Sequence, residues 1–150
     1  MRNQRGFTMI ELIVVIVILG ILAATALPRF ISVDKDARAA KVNGARGAVL
    51  SASALAHAQW LVGGASGTSV SMDGAPINLV NGYPTADALG ISAAAQLGTD
   101  YSPTGGGAPA GSTLTIASDS SHASCAFTYT SSAAVGSAPV VGGAVSAGSC

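Results

Sequence analysis

Apolar residues run almost unbroken from position 7 to position 27. At about 1.5 Å of rise per residue, a helix of that length reaches about 31 Å, matching the hydrocarbon core of a bilayer. Ile, Val and Leu occupy every side of this helix, so no polar face is left for an amphipathic helix lying on a membrane surface. One carboxylate, Glu11, interrupts the run, and Pro28 follows it. Beyond Pro28 the pattern continues as a helix to about Leu61, rich in alanine and without further proline. Two apolar stripes lie along this second stretch. Ile31, Ala45, Val49, Ala52, Ala56 and Trp60 share one sector at 100° per residue; Val33, Ala37, Ala40, Gly44, Ala48 and Leu55 share another. The first kind of stripe is expected to bury against a head in the same chain, and the small-residue stripe to let helices of different chains approach closely.

From Gly63 onward Gly, Ser, Ala and Thr dominate, and short β-prone runs replace the helical period. The spacing predicts strands over 68–72, 112–117, 126–130 and 139–145, separated by turn signals such as Asp73-Gly74, Asn81-Gly82 and Gly105-Gly106-Gly107. Thr85 is placed as the cap of a short helical turn reaching Leu89. The economical architecture is α+β: a long N-terminal helix packed on one small antiparallel sheet. Its organisation reads as a leader over residues 1–6, an apolar helix over 7–27, an amphipathic continuation over 28–61 and a head over 62–150. About 90 residues with few large side chains support only a modest core. Low complexity raises the alternative of disorder, against which the β-branched and aromatic runs and the cysteines of the C-terminal half count.

Charge gives the ends of the apolar helix different characters. Arg2 and Arg5 precede it, whereas Arg29, Asp34, Lys35, Asp36 and Arg38 mix signs after it, which puts the N-terminus in the cytoplasm and the remainder outside. Glu11 is the anomaly, since an ionised carboxylate in hydrocarbon is costly and is kept where it has a partner. No cation within the segment can serve. Cleavage between Gly6 and Phe7 would create an α-amine, and in a packed array of such helices that amine on one chain could neutralise Glu11 of its neighbour. Glu11 then acts as an assembly register; the plainer alternative has it reaching the headgroups as a tolerated charge.

The string Gly6-Phe7-Thr8-Met9-Ile10-Glu11-Leu12 resembles the processing site of type IV pilins and of their relatives, the type II secretion pseudopilins. The likeness extends over the first 55 to 60 residues. It implies that a membrane prepilin peptidase cuts after Gly6 and methylates Phe7, and that Glu11 is the family's glutamate. Gly20 and Pro28 fall where type IVa pilins carry a glycine and a proline. Both residues weaken a helix, and the family unwinds that stretch in its filaments. Leu27-Pro28-Arg29-Phe30-Ile31 and Asp36-Ala37-Arg38-Ala39-Ala40-Lys41 carry the resemblance to mannose-sensitive haemagglutinin-type pilins. Two rival readings of the segment are a signal peptidase site at Ala24-Thr25-Ala26 and a plain membrane anchor. The first must explain away Gly6-Phe7, and both leave Glu11 without a role.

Cys125 and Cys150 are the only cysteines. In an exported domain one disulfide is the simplest state. Type IV pilins carry such a C-terminal bridge, whereas the major pseudopilins usually lack it and hold calcium instead. Free thiols are the alternative, and a metal site built on two cysteines lacks further ligands.

Catalytic chemistry finds little footing. His57 lies in the helical stretch and His122 in a serine-rich turn, without spacing that suggests a relay or a zinc site. Asp73, Asp87, Asp100 and Asp119 stand singly in turn-like sequence, with no alternation of oxygen ligands for calcium. Gly63-Gly64 and Gly105-Gly106-Gly107 lack the lysine and the strand-to-helix setting of a phosphate loop. Asp34, Lys35, Asp36, Arg38, Lys41 and Arg46 read as a solvated or inter-subunit charged face. Loss of Arg2 and Arg5 with the leader leaves five basic against seven acidic side chains, about −2, and no basic stripe for nucleic acid.

The sequence thus describes a structural subunit rather than an enzyme, with no cofactor and no metal. Its expected partners are copies of itself in a helical filament, the prepilin peptidase, and an inner-membrane assembly platform with a cytoplasmic ATPase. The precursor is expected in the bacterial inner membrane, head outward, before extraction into an extracellular pilus. A pseudopilin, a minor pilin and an enzyme anchored by one helix are the competing readings.

Overall fold

The computed structural model describes residues 7–150, with the side chains of residues 26–32 excepted. The leader, residues 1–6 with Gly6, lies outside the described residues, as do the side chains of Pro28 and Ile31. Two compact units are present, one ending at Lys35 and the other comprising Asp36–Cys150. Helix α1, Met9–Val62, supplies residues to both. Its backbone is helical through Gly20 and Pro28. Val62 is its last residue, and the Gly64 and Ala65 N–H groups close the final turn on Leu61 O and Trp60 O.

Within the second unit, the face of α1 that turns inward carries Ala39, Val42, Ala45, Val49, Ala52 and Ala56. Four of these belong to the first predicted stripe, and Trp60 is half-buried below them. Members of the second stripe all remain exposed; Val33 and Leu55 are 60% and 62% accessible.

The head holds two antiparallel sheets rather than the single sheet expected. The first has the order β1 (Ser69–Met72), β2 (Ala75–Val80), β3 (Tyr83–Pro84). Asp73-Gly74 and Asn81-Gly82 join these strands with positive φ at both positions, the backbone that tight hairpins need. The second sheet has the order β4 (Ser102–Gly105), β5 (Thr113–Ala117), β6 (Ala126–Thr130), β7 (Val140–Val141). β2 and β4 were not legible because Pro76 and Pro103 demote a run as a strand. Pro76 lies in the part of β2 flanked by β1 alone, and Pro103 lies on an edge strand. The predicted strand 139–145 shrinks to β7; past it the chain is held by side chains of α1.

Burial alternates along β5 and β6, so Leu114, Ile116, Phe127 and Tyr129 point inward together. They pack with Val42, Ala45 and Val49 of α1 and with Ile91 and Cys125 in one core. Further along α1, Ala52 and Ala56 meet Ile77, Leu79 and Ala94 in a second core. One helical stripe therefore serves both sheets in succession. Alanine and valine on it let the sheets come close, while the larger side chains come from the strands.

Polar contacts fasten the same halves. His57 lies flat on Tyr83, ring centres 4.0 Å apart and 6° from parallel, with Trp60 5.6 Å away on the helix. Its Nδ1 bonds Gly82 O at 2.9 Å. A Cβ at Gly82 would come within 2.7 Å of the Trp60 ring, so the hairpin turn can sit against this ring only as glycine. Asp87, not Thr85, caps the turn Ala88–Ser92: its carboxylate accepts from the Leu89 and Gly90 N–H groups at 3.1 and 2.8 Å. The Thr85 hydroxyl instead donates to Asp87 at 2.9 Å. Asp87 wins because only an acceptor placed directly before the first turn reaches its free N–H groups.

Tyr129 joins the sheets. Its hydroxyl, fully buried, donates to Pro84 O at 2.8 Å, and burial pushes the phenol up to about 12. Because the folded value exceeds the ordinary 10.0, the associated stability is complete below pH 10 and is lost as pH rises towards 12. About 2–3 kcal/mol is expected to disappear over that window. Near-ultraviolet circular dichroism of the detergent-solubilised protein should follow the loss. Tyr129→Phe should flatten the alkaline slope while costing about 1–2 kcal/mol at neutral pH, where Pro84 O loses its donor. An unchanged slope in the variant would assign the alkaline transition to another group.

Candidate functional site

At the N-terminal end of α1, Thr8 and Glu11 face each other across one turn. The Thr8 N–H and hydroxyl both donate to Glu11 Oε2 at 2.9 Å, and the Glu11 N–H returns a bond to Thr8 Oγ1 at 3.3 Å. This is a capping box: the hydroxyl and the carboxylate each satisfy an N–H that the first helical turn leaves free. The signal was present in the sequence as Thr8-Met9-Ile10-Glu11, a threonine followed three residues later by glutamate. Glu11 therefore has a partner within its own chain as well as any it meets in an assembly. Phe7 stands at this end, 86% exposed, beside the carboxylate-bearing turn.

Large apolar side chains follow without a covering layer. Ile10, Leu12, Ile13, Ile16, Leu19 and Leu22 are each at least half exposed. The Thr25 hydroxyl folds back on Ile21 O and Leu22 O at 3.3 and 3.0 Å, hiding the one other polar side chain of the stretch. Among the described residues no helix is long and apolar enough to cross a membrane. The described apolar stretch, residues 9–25, reaches about 26 Å, and the last two residues of the 7–27 run lie among the side chains not described.

The other end of the chain is closed covalently. Cys125 and Cys150 form a disulfide across 25 positions, with Cys125 fully buried in the first core and Cys150 packed at its edge. Neighbouring contacts hold the tail as well: the Ser124 hydroxyl donates to Ser149 O at 2.9 Å. Asn43 of α1 lies beside the tail like a strand edge, its amide bonding both Val145 O and the Val145 N–H at 2.9 Å. Arg46 Nε donates to Gly142 O at 2.6 Å. Lys41 Nζ donates to Asp100 O and, at 2.8 Å, to Ser118 O, and lies 4.8 Å above the Tyr101 ring.

Lys41 and Arg46, expected on a solvated or inter-subunit charged face, are half-buried and bond backbone carbonyls of their own head. They flank the buried positions 42 and 45, so their stems lie along the head and their charged ends reach carbonyls that no strand pairs. Asn43 was not singled out at all, and the trace it leaves in sequence is slight: a polar residue amid the apolar stripe, three positions before Arg46.

His122 does meet a carboxylate. Its Nδ1 lies 2.8 Å from Asp119 Oδ1, and the same oxygen accepts from the Ser121 and His122 N–H groups at 2.9 Å. These bonds, led by His122, hold the Asp119 carboxyl down at about 2. Ser118 Oγ donates to Asp119 at 3.1 Å, not to the imidazole, so no activated nucleophile results. The group is a self-bonded turn between β5 and β6. Among the described residues, no three His, Cys, Asp or Glu side chains converge where a metal ion could be held.

The described chain thus joins a capped, uncovered apolar helix end to a disulfide-closed head. The family model described as "Prokaryotic N-terminal methylation motif" matches residues 1–27. The type IV narrow pilus major component PilA5 of Thermus thermophilus is 34% identical over 123 residues, 82% of this chain and 79% of its own. The type IV major alpha-pilin of Moraxella bovis is 48% identical over 44 residues, 29% of this chain and 28% of its own. No solved structure matches. The chain belongs to the type IV pilins: it is a structural subunit, not an enzyme, processed at its N-terminal methylation motif and polymerised with copies of itself into an extracellular filament.

Proposed function

We propose that this chain is a major pilin of the type IVa class whose precursor is held in the bacterial inner membrane by residues 7–27, N-terminus in the cytoplasm and head outside. A prepilin peptidase cleaves between Gly6 and Phe7 and methylates the new Phe7 amine. An inner-membrane platform with a cytoplasmic ATPase then extracts the subunit into the filament. The observation that carries this reading is the helix start, where an exposed Phe7 adjoins a Thr8–Glu11 cap and an uncovered apolar face. Such a face is stable in lipid before assembly and against other such helices after it.

Glu11 has a double duty in this scheme. It completes the cap within its own chain and neutralises the Phe7 amine of a neighbour, so that only one axial register is free of a buried unpaired charge. Gly20 and Pro28 bound a stretch that is helical in the single chain. Pro28 lacks the N–H that would bond back to Ala24, which makes this the stretch that lengthens most easily in the filament. The runs around Leu27-Pro28-Arg29 and Asp36-Ala37-Arg38 favour the mannose-sensitive haemagglutinin-type branch. The Cys125–Cys150 bridge favours a pilin over a pseudopilin.

Fibres sheared from cells provide the test. Intact-mass and N-terminal analysis should find a chain beginning at Phe7 and carrying one extra methyl group. A chain beginning at Met1 or at Leu27, or no fibre containing this protein, would overturn the proposal.

A further inference from the structure

A groove of about 310 Å³ opens on the head between the second half of α1 and the segment around β7. Leu50, Ala54 and His57 form one wall, Tyr83 lies beneath, and Pro139 and Val141 form the other. It is apolar and free of Asp, Glu, Lys and Arg. Leu50 is 43% exposed at its mouth. Ser53, 4% exposed, also lines it, and its hydroxyl has no hydrogen-bond partner. That hydroxyl lies near enough to Tyr129 to favour the ionised phenol, but the Tyr129 proton is already given to Pro84 O and no well-formed bond links the two. Its floor is stiff, because His57 is stacked on Tyr83 and bonded to Gly82 O.

We propose that this groove is the acceptor half of a contact between heads in the filament, filled by an apolar side chain from a second copy of this chain. The proposal rests on the pilin reading above and deepens it. A helical filament is built by heterologous contacts, in which one patch of a subunit meets a different patch of the next, so each head must carry both halves. The opposite half is present: Leu89 and Val62, 64% and 91% exposed, are large aliphatic side chains outside the groove. Charge agrees. Residues 62–150 contain Asp73, Asp87, Asp100 and Asp119 and no Lys, Arg or Glu, and none of those aspartates lines the groove. An uncharged hole and uncharged projecting side chains of the same chain can therefore close without stranding a charge. A charged peptide or a nucleic acid would find no counter-ion there.

The first test introduces a photo-crosslinking benzophenone amino acid at Leu50 in a minority of subunits, with wild-type chain in excess, and illuminates intact fibres. Mass spectrometry should identify a crosslink to a head peptide from a second copy. A crosslink to a different protein or to a small molecule, or none in illuminated fibres, would overturn the proposal. The second test is Ala54→Arg, a change at an exposed helical position that fills the groove with a charge. Fibre yield should fall at least tenfold, while Cys125–Cys150 oxidation, cleavage before Phe7 and protease resistance of the membrane-held head match wild type. Wild-type fibre yield from this variant would sink the idea. Failure of the wild-type chain to form any fibre would instead overturn the pilin reading itself.

Discussion

Glu11→Val is expected to insert in the membrane and to be cleaved before Phe7 as wild type, yet to assemble few or no long fibres. Valine makes the apolar run a better membrane span, so insertion gains rather than suffers. The capping box is lost with the carboxylate, at about 0.5–2 kcal/mol, which a long helix held in lipid tolerates. What assembly loses is larger. The α-amine of a neighbouring Phe7 would enter the filament interior with no counter-charge, and an unpaired buried charge costs about 3–5 kcal/mol at every subunit. Such a penalty, repeated along the polymer, should reduce fibre yield by several orders of magnitude.

Glu11→Gln separates the two duties. Glutamine can still accept from the Thr8 N–H at the third position of the capping box, but it carries no charge. If the cap were the whole purpose of Glu11, this variant would make fibres at wild-type yield. The registry role predicts that it fails nearly as badly as valine. Electron microscopy of sheared fibres, together with immunoblots that resolve precursor from mature chain, reads both variants.

Removal of the disulfide has the second largest expected effect. Cys125 and Cys150 close a loop of 25 positions, and the chain-entropy model assigns such a cross-link about 3.5 kcal/mol. The double change Cys125→Ser and Cys150→Ser should lower head stability by about 2–5 kcal/mol, with a freer unfolded chain as the main cause. Loss should be greatest for the tail, since Asn43, Arg46 and Ser124 hold it only by hydrogen bonds once the bridge is gone. The variant should still be cleaved and membrane-held. Limited proteolysis should cut it after β6, and piliation should fall. A head as protease-resistant and as well assembled as wild type would show that the polar clamps suffice and that the bridge is dispensable.

Much of this protein is readable from local pattern because its largest elements obey short-range rules. The apolar run, the helix ending beside Gly63-Gly64, and the inward stripe of Ala45, Val49, Ala52 and Ala56 follow from hydrophobic period and helix propensity alone. The Gly6–Leu12 string pointed to the family for the same reason: the residues it depends on are neighbours in the chain. Thr8 and Glu11 were equally local, and their reciprocal cap could have been read from their spacing.

Division of the head into two sheets was beyond sequence. β2 and β4 contain proline, and only their position at a sheet edge, or beside a single partner strand, makes proline harmless there. The destinations of Lys41, Asn43 and Arg46 were hidden too, because each bonds a carbonyl some 60 to 100 positions away, and only the packed tail decides which carbonyls lack a partner. The groove at Leu50 and Ala54 arises likewise, where residues from α1, β3 and the β7 segment converge. Periodicity and propensity thus settle which faces are apolar and where elements begin. Which apolar faces stay uncovered, and which backbone groups need a side chain, is settled only when distant segments compete for the same surface.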